Sequence, residues 1–148
     1  MGEDYMKYGH VRGGRIKASP GLVWAASQVV KARSGRFVLN TAGAITLCGD
    51  GADTIFGWAE ESEGTPVAAS KVGVIVDPSA IYRIPVDGGT FAIAMVDKTC
   101  DLGVTSNIQG ADLAASVDDV LIIVGGDLVN NEWVDVMINP KERNAVGV

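Results

Sequence analysis

The sequence predicts an all-β chain, and three of its features carry that expectation. From Gln28 onward, short runs rich in Val, Ile, Thr and aromatic residues are punctuated by Gly, Asp, Asn and Pro at intervals of roughly 8–12 residues. No window of about twelve residues sustains apolar positions at i, i+3, i+4 and i+7 with caps at both ends. With 148 residues, 47% hydrophobic and only 20% charged, the chain is long and apolar enough to bury one core. A mean hydropathy of +0.23 excludes disorder.

Taken in order, residues 1–24 read as an extended N-terminal arm and residues 25–148 as a single β-rich domain. The first twenty residues follow neither period 2 nor period 3.6 and contain the pair Gly13-Gly14. Tyr5, Tyr8 and Trp24 are unusual in a disordered tail, so the arm is expected to gain order against a neighbour. Strands are predicted at Gln28–Arg33, Arg36–Asn40, Ala44–Cys48, Ile55–Glu60, Lys71–Val76, Ile81–Val86, Val120–Val124 and Trp133–Ile138. Ser34-Gly35 is predicted as a two-residue hairpin loop, and Thr41-Ala42-Gly43 as a three-residue one with Gly in the left-handed region. Asn130-Asn131 is another hairpin candidate. Pro85 marks an edge or the end of a strand, because proline donates no ladder hydrogen bond. Gln109–Ala115 is either a single helical turn or an irregular excursion, with Gly110 favouring the loop.

Charge is distributed unevenly. Residues 1–36 hold seven bases (Lys7, Arg12, Arg15, Lys17, Lys31, Arg33, Arg36) against Glu3 and Asp4, a net of +5. The remaining residues hold five bases and 16 acids, a net of −11, and the whole chain carries −6. An acidic body with no interleaved aromatic platform argues against nucleic acid as a partner. A basic arm reaching an acidic protein surface fits the pattern, with an ordinary solvated tail as the alternative. No apolar run approaches the roughly 20 residues needed to cross a bilayer, so no membrane partner is expected. The opening MGEDYMKYGH is polar and carries two acids, unlike a secretory signal.

Chemistry-bearing residues are few. His10 is the only histidine and lies in the glycine-rich arm, with no carboxylate or nucleophile at triad spacing. Cys48 and Cys100 match no zinc spacing; each is expected to pack as a small hydrophobe, with a bridge between them left open. Asp118-Asp119 and the Glu60-Glu61-Glu63 cluster fall at turn-like boundaries and read as solvated or capping acids rather than an acid/base pair. The string CGDGAD, residues 48–53, lacks the spaced ligands of a calcium loop and reads as a turn. No phosphate-cradling glycine loop is present. The expectation is therefore a non-enzymatic protein with no catalytic residue, metal or cofactor.

Two resemblances follow from particular stretches. GVIVDPSAIYR, Gly73–Arg83, is faintly similar to the uridine-pocket motif of trimeric dUTPases, but departs from it between Asp77 and Tyr82, and the glycine-rich C-terminal motif is missing. Three longer stretches together resemble the capsid decoration, or cement, proteins of tailed phages. They are FVLNTAGAITLCGDGADTIFGWAEE (Phe37–Glu61), VIVDPSAIYRIPVDGGTF (Val74–Phe91), and Lys98–Arg143, which closes on a polar turn and a final strand ending at Asn-Pro. This resemblance implies a small β-barrel or β-tulip-like body with an N-terminal arm. It also implies homotrimers bound to the major capsid protein on the virion exterior, assembled in the host cytoplasm. On that reading the arm adds a strand to a shell subunit through Arg12–Lys17. Tyr8, Arg12, Arg15, Ile16, Lys17 and Trp24 are then the partner-facing residues, with Tyr8 and Trp24 as aromatic anchors unless they pack on their own body. The arm is expected to be dispensable for folding. The alternatives are a small-ligand or carbohydrate-binding β-barrel on a virion and a dUTPase-like hydrolase.

Overall fold

The computed structural model describes residues 8–142. Eleven strands run through them: β1 (Gly9–Arg12), β2 (Val23–Trp24), β3 (Phe37–Thr41), β4 (Ala44–Leu47), β5 (Gly57–Glu60), β6 (Gly73–Ile75), β7 (Ile81–Gly88), β8 (Thr99–Thr105), β9 (Ile108–Asp112), β10 (Leu121–Gly126) and β11 (Trp133–Ile138). Two single 3-10 turns, Ile93–Met95 and Pro140–Glu142, are the helical pieces among the described residues. The chain is all-β, as its punctuation predicts.

Two curled sheets share the strands. The first is ordered β1-β7-β11-β10-β8-β9, and a parallel pairing of β7 with β9 returns the last strand to the second. That return gives the sheet its barrel-like curl. The long β7 makes it possible: Ile81–Arg83 pair with β1 on one side, while Val86 and Gly88 pair with β9. Pro85 falls between these two pairings, where a missing N–H leaves no ladder bond unmade on that side. The second sheet is ordered β2-β4-β3-β5-β6, and Val23 also bridges Lys71 just before β6, so this sheet curls too.

Six of the eight predicted strands have direct counterparts, and Trp133–Ile138 matches β11 at both ends. Gln28–Arg33 does not form a strand. Ser27 and Arg33 both take left-handed backbone, φ 64° and 61°, and only Val30 makes a bridge, to Gly64. Gln28 instead turns its Oε1 to the Leu47 N–H at 2.8 Å. Ile55–Glu60 loses its first two residues, because Phe56 N–H bonds to Val38 O and the regular ladder starts at Gly57. The turn after β3 has two residues, not three: Thr41 pairs with Ala44, and Ala42 and Gly43 take φ 51° and 92°. Asn130-Asn131 lies in a longer loop whose Asp127 carboxylate accepts the Val129, Asn130 and Glu132 N–H groups.

The Gln109–Ala115 reading is overturned, since Gln109 to Asp112 belong to β9. Gly110 is there because a Cβ would press on Pro85 O and the Asp87 backbone, where β9 meets β7. Ser34-Gly35 is likewise no hairpin loop. Both residues are buried against Gln109: Gly35 N–H donates to its carbonyl, and Ser34 Oγ accepts its N–H at 2.8 Å.

The main core lies between the sheets. Phe37 meets Trp58 and Tyr82 edge-on, with centroids 4.9 and 5.4 Å apart, and Trp58 stacks on Tyr82 at 4.6 Å. Such aromatic pairs stabilise by about 0.5–1.5 kcal/mol beyond their buried area. A smaller core of Trp24, Val38, Ile45, Ala59, Val72 and Val74 fills the second sheet. Cys48 and Cys100 are free, buried thiols, so no bridge joins them. Burial pushes both thiols up to about 12, with nearby carboxylates adding to the shift at Cys100.

Gln109 is the polar tie between the two sheets. Its Oε1 accepts Phe37 N–H at 2.8 Å, and its Nε2 donates to Phe37 O at 2.9 Å and Cys48 O at 3.1 Å. All these groups are buried, so a residue without the amide strands the Phe37 N–H and Cys48 O, while Phe37 O keeps the Cys48 N–H at 2.9 Å. Gln109→Leu is expected to lower stability by about 2–4 kcal/mol, read as a shift of the denaturation midpoint in urea. An unchanged midpoint contradicts this role.

Candidate functional site: the arm and the surfaces around it

The partner-facing residues expected from sequence divide sharply once placed. Residues 9–24, expected as an extended arm, are laid along their own body, with two short strands joined through a bend at Gly13 and a turn at Pro20-Gly21. β1 pairs antiparallel with β7, with Gly9 opposite Arg83 and His10 opposite Tyr82. The chain then crosses to the second sheet, where Lys17 bridges Ile75, Ala18 N–H donates to Val74 O, and Val76 N–H donates to Ile16 O. It ends in β2, which runs parallel to β4.

Acids of the body hold this segment. The Asp135 carboxylate is nearly inaccessible; Arg83 grips it at 2.8 and 3.0 Å, and Arg12 reaches it at 3.3 Å. The Arg83 guanidinium also lies 3.7 Å over the Trp133 ring, which fixes its plane. Arg15 and Lys17 both pair with Glu60. Burial alone would raise the Glu60 carboxyl, but hydrogen bonds from Lys17 and Arg15 and their charge hold it below its ordinary value. Asp77 accepts Ile16 N–H at 3.0 Å and the Ser79 N–H and hydroxyl, while Ser79 Oγ accepts Gly14 N–H at 3.1 Å. Gly13, at φ 81°, lies so close to the Ser79 carbonyl oxygen that a Cβ would collide with it.

Trp24 is corrected from partner anchor to core residue. It is 1% exposed, and its Nε1 donates to Glu61 Oε1 at 2.8 Å. An indole with a buried apolar body and a satisfied N–H gains nothing from a partner. Arg12, Arg15 and Lys17 are partly exposed but find their acids within the molecule, so the basic arm does meet an acidic surface, its own. Ile16 is different: its side chain stands 66% exposed. Tyr8 is half-buried, and burial, followed by the nearby Glu132 charge, raises its hydroxyl. The rest of the predicted arm, residues 1–7, lies outside the described residues.

The other sequence candidates are structural. His10 Nε2 lies 2.9 Å from Gly14 O, and its ring meets Tyr82 edge-on. Asp101 caps the loop before β10, its carboxylate accepting the Val117, Asp118 and Asp119 N–H groups. Burial and then the neighbouring Asp101, Asp53 and Asp119 charges raise Asp118. Asp50 of the CGDGAD turn accepts Val104 N–H at 2.9 Å. Among the described residues no three His, Cys, Asp or Glu side chains converge as a metal-holding group, and no helix is long and apolar enough to cross a membrane.

Two surface features escaped the sequence reading. On neighbouring loops, Leu128, Val129 and Ile93 are 62%, 88% and 68% exposed. These loops are tied rigidly: Asn131 Oδ1 accepts Phe91 N–H at 2.7 Å, and Asn131 Nδ2 donates to Gly89 O at 3.0 Å. The second is a cleft of about 320 Å³ beside β1, with Arg15, Arg33 and Arg36 in its walls. Arg36 and Glu60-Glu61 carry no local pattern that marks a cleft, because the pairing of β3 with β5 brings them together from separate stretches of chain. No protein-family profile, curated protein or solved structure matches this chain.

The Asp77 contacts make arm docking pH-dependent. Hydrogen bonds from Ile16 and Ser79 depress its carboxyl below the ordinary value. Its contribution to stability is therefore complete above the unfolded-state value of about 3.9 and is lost as pH falls through the lower folded-state value. Asp77→Asn, which cannot titrate, is expected to flatten part of the acid limb of the stability profile between about pH 5 and pH 2. Denaturation midpoints against pH check this, and parallel profiles for variant and wild type contradict it.

Proposed function

We propose that this chain is a non-enzymatic decoration protein of a tailed-phage head, which binds the assembled shell of major capsid protein from outside and strengthens it as a homotrimer. The observation that carries the reading is the apolar pair Leu128-Val129, together with Ile93, held exposed on rigid loops. Large apolar side chains gain roughly 25 cal/mol per Å² on leaving water, and ordering them in advance lowers the entropic cost of docking. Few such contacts per subunit suffice when symmetry repeats them, because linked copies bind by avidity. The resemblance of three stretches in one order supplies the kind of partner. Attachment runs through the loop tips, since the arm's hydrogen bonds and charges are engaged on its own body.

The test is co-sedimentation with expanded shells built from the major capsid protein encoded beside the chain. Wild type is expected to sediment with them. Leu128→Asp/Val129→Asp, altered where the side chains touch solvent, is expected to keep its unfolding midpoint yet bind at least about tenfold more weakly. Equal binding by the variant, or none by wild type, overturns the proposal.

A further inference from the structure

Between β1 and β2 the chain crosses β6 with little of itself buried. Of residues 13–21, Gly14 and Ala18 are part-buried and the rest are exposed. The largest apolar side chain among them, Ile16, is 66% exposed. A cleft of about 230 Å³ is walled by Lys17–Gly21 and Lys71–Gly73, so the stretch is not closely packed on the start of β6. A segment that buries so little apolar surface loses little on lifting.

Its ties are polar. Gly14 N–H donates to Ser79 Oγ, Ile16 N–H to Asp77 and Ala18 N–H to Val74 O, while Ile16 O accepts Val76 N–H and Gly14 O lies 2.9 Å from His10 Nε2. Arg15 and Lys17 pair with Glu60 from side chains 60% and 53% exposed. Ion pairs so exposed contribute little.

Both ends of the stretch are jointed, and both flanks are fixed. Gly13 and Gly21 take φ 81° and 117°. Glycine absorbs large backbone rotations at little cost, which suits both positions to hinges. Before Gly13, β1 is paired with β7 and Arg12 is held by Asp135. After Gly21, Val72 N–H donates to Leu22 O, Trp24 N–H donates to Ser70 O, and the Trp24 ring fills the smaller core. β6 has its own ladder to β5, which owes nothing to the crossing chain.

We infer that residues 13–21 are a glycine-hinged flap that swings off β6 as one unit while both sheets stay paired. Opening bares a strand edge at Val74 O and Val76 N–H, beside the Asp77 and Glu60 carboxylates. The closed flap keeps that edge from pairing with another extended chain. The inference does not rest on the decoration reading.

The experiment is native-state hydrogen exchange of the full chain, labelled with nitrogen-15. The Ile16, Ala18 and Val76 amides are expected to share one opening and to exchange at least about a hundredfold faster than the Val134 and Val136 amides of β11. The Trp24 and Val72 amides, beyond the second hinge, are expected to exchange at least about tenfold more slowly than the flap. Glu60→Gln is expected to speed exchange of the three flap amides about three- to tenfold and to leave β11 unchanged. Lys17→Gln, altered at an exposed position, guards against a folding defect and is expected to act in the same direction by about two- to threefold. Flap amides as slow as β11, exchange of Trp24 and Val72 at the rate of the flap, or variant effects spread equally over flap and β11 each overturns the inference.

Discussion

Two carboxylates of the body, Asp77 and Asp135, hold a segment that would otherwise be a tail. Asp135 draws Arg12 onto the first sheet beside Arg83, and Asp77 fastens the backbone at Ile16 as the chain crosses to the second. Between them, Gly13 and Gly14 pass so near Ser79 and Asp77 that side chains larger than hydrogen have no room. The segment then supplies a neighbour to both open borders of the second sheet, at β6 and at β4. Trp24 at its end fills the smaller core. What reads as an arm is a strap that binds two sheets into one body.

The strap changes what the charge asymmetry means. A basic N-terminal third and an acidic remainder suggest a chain reaching for another molecule, yet Arg12, Arg15 and Lys17 meet Asp135 and Glu60 of their own chain. Exposed pairs such as those to Glu60 contribute at most about 1 kcal/mol each. The Asp135 pairing matters more, because its carboxylate is almost fully enclosed and would be left uncompensated without its arginines. With those three bases engaged inside, the exposed apolar side chains of Ile93, Leu128 and Val129 are the surface on which the proposed docking rests.

Most of the body was legible in the sequence, because β-branched runs between turn residues report directly on strands. β3, β4, β7, β10 and β11 lie where those runs lie. β8 and β9 were not legible. Their cores, Asp101-Leu102-Gly103 and Gln109-Gly110-Ala111, mix polar and small residues, since Gly103 and Gly110 must admit Asp87 from β7 and Gln109 must reach Phe37. Only the tertiary neighbour explains such a composition. The arm was misjudged for the same reason. Nothing local to residues 9–24 shows that Asp77 and Asp135, more than sixty residues away, will collect their N–H and guanidinium groups. Trp24 shows the limit plainly: an indole in a basic, glycine-rich stretch looks like an anchor for a partner, and only its burial shows otherwise.

Removing the strap tests this account most directly. A chain beginning at Gly21 lacks the β1 pairing, the Arg12 and Ile16 contacts and the cover on β6, while it keeps Trp24 and the rest of the core. Its equilibrium unfolding in urea, compared with that of the full chain, is expected to show a loss of about 3 kcal/mol or more, or no cooperative transition at all. A midpoint equal to that of the full chain would mean that the segment is a dispensable arm.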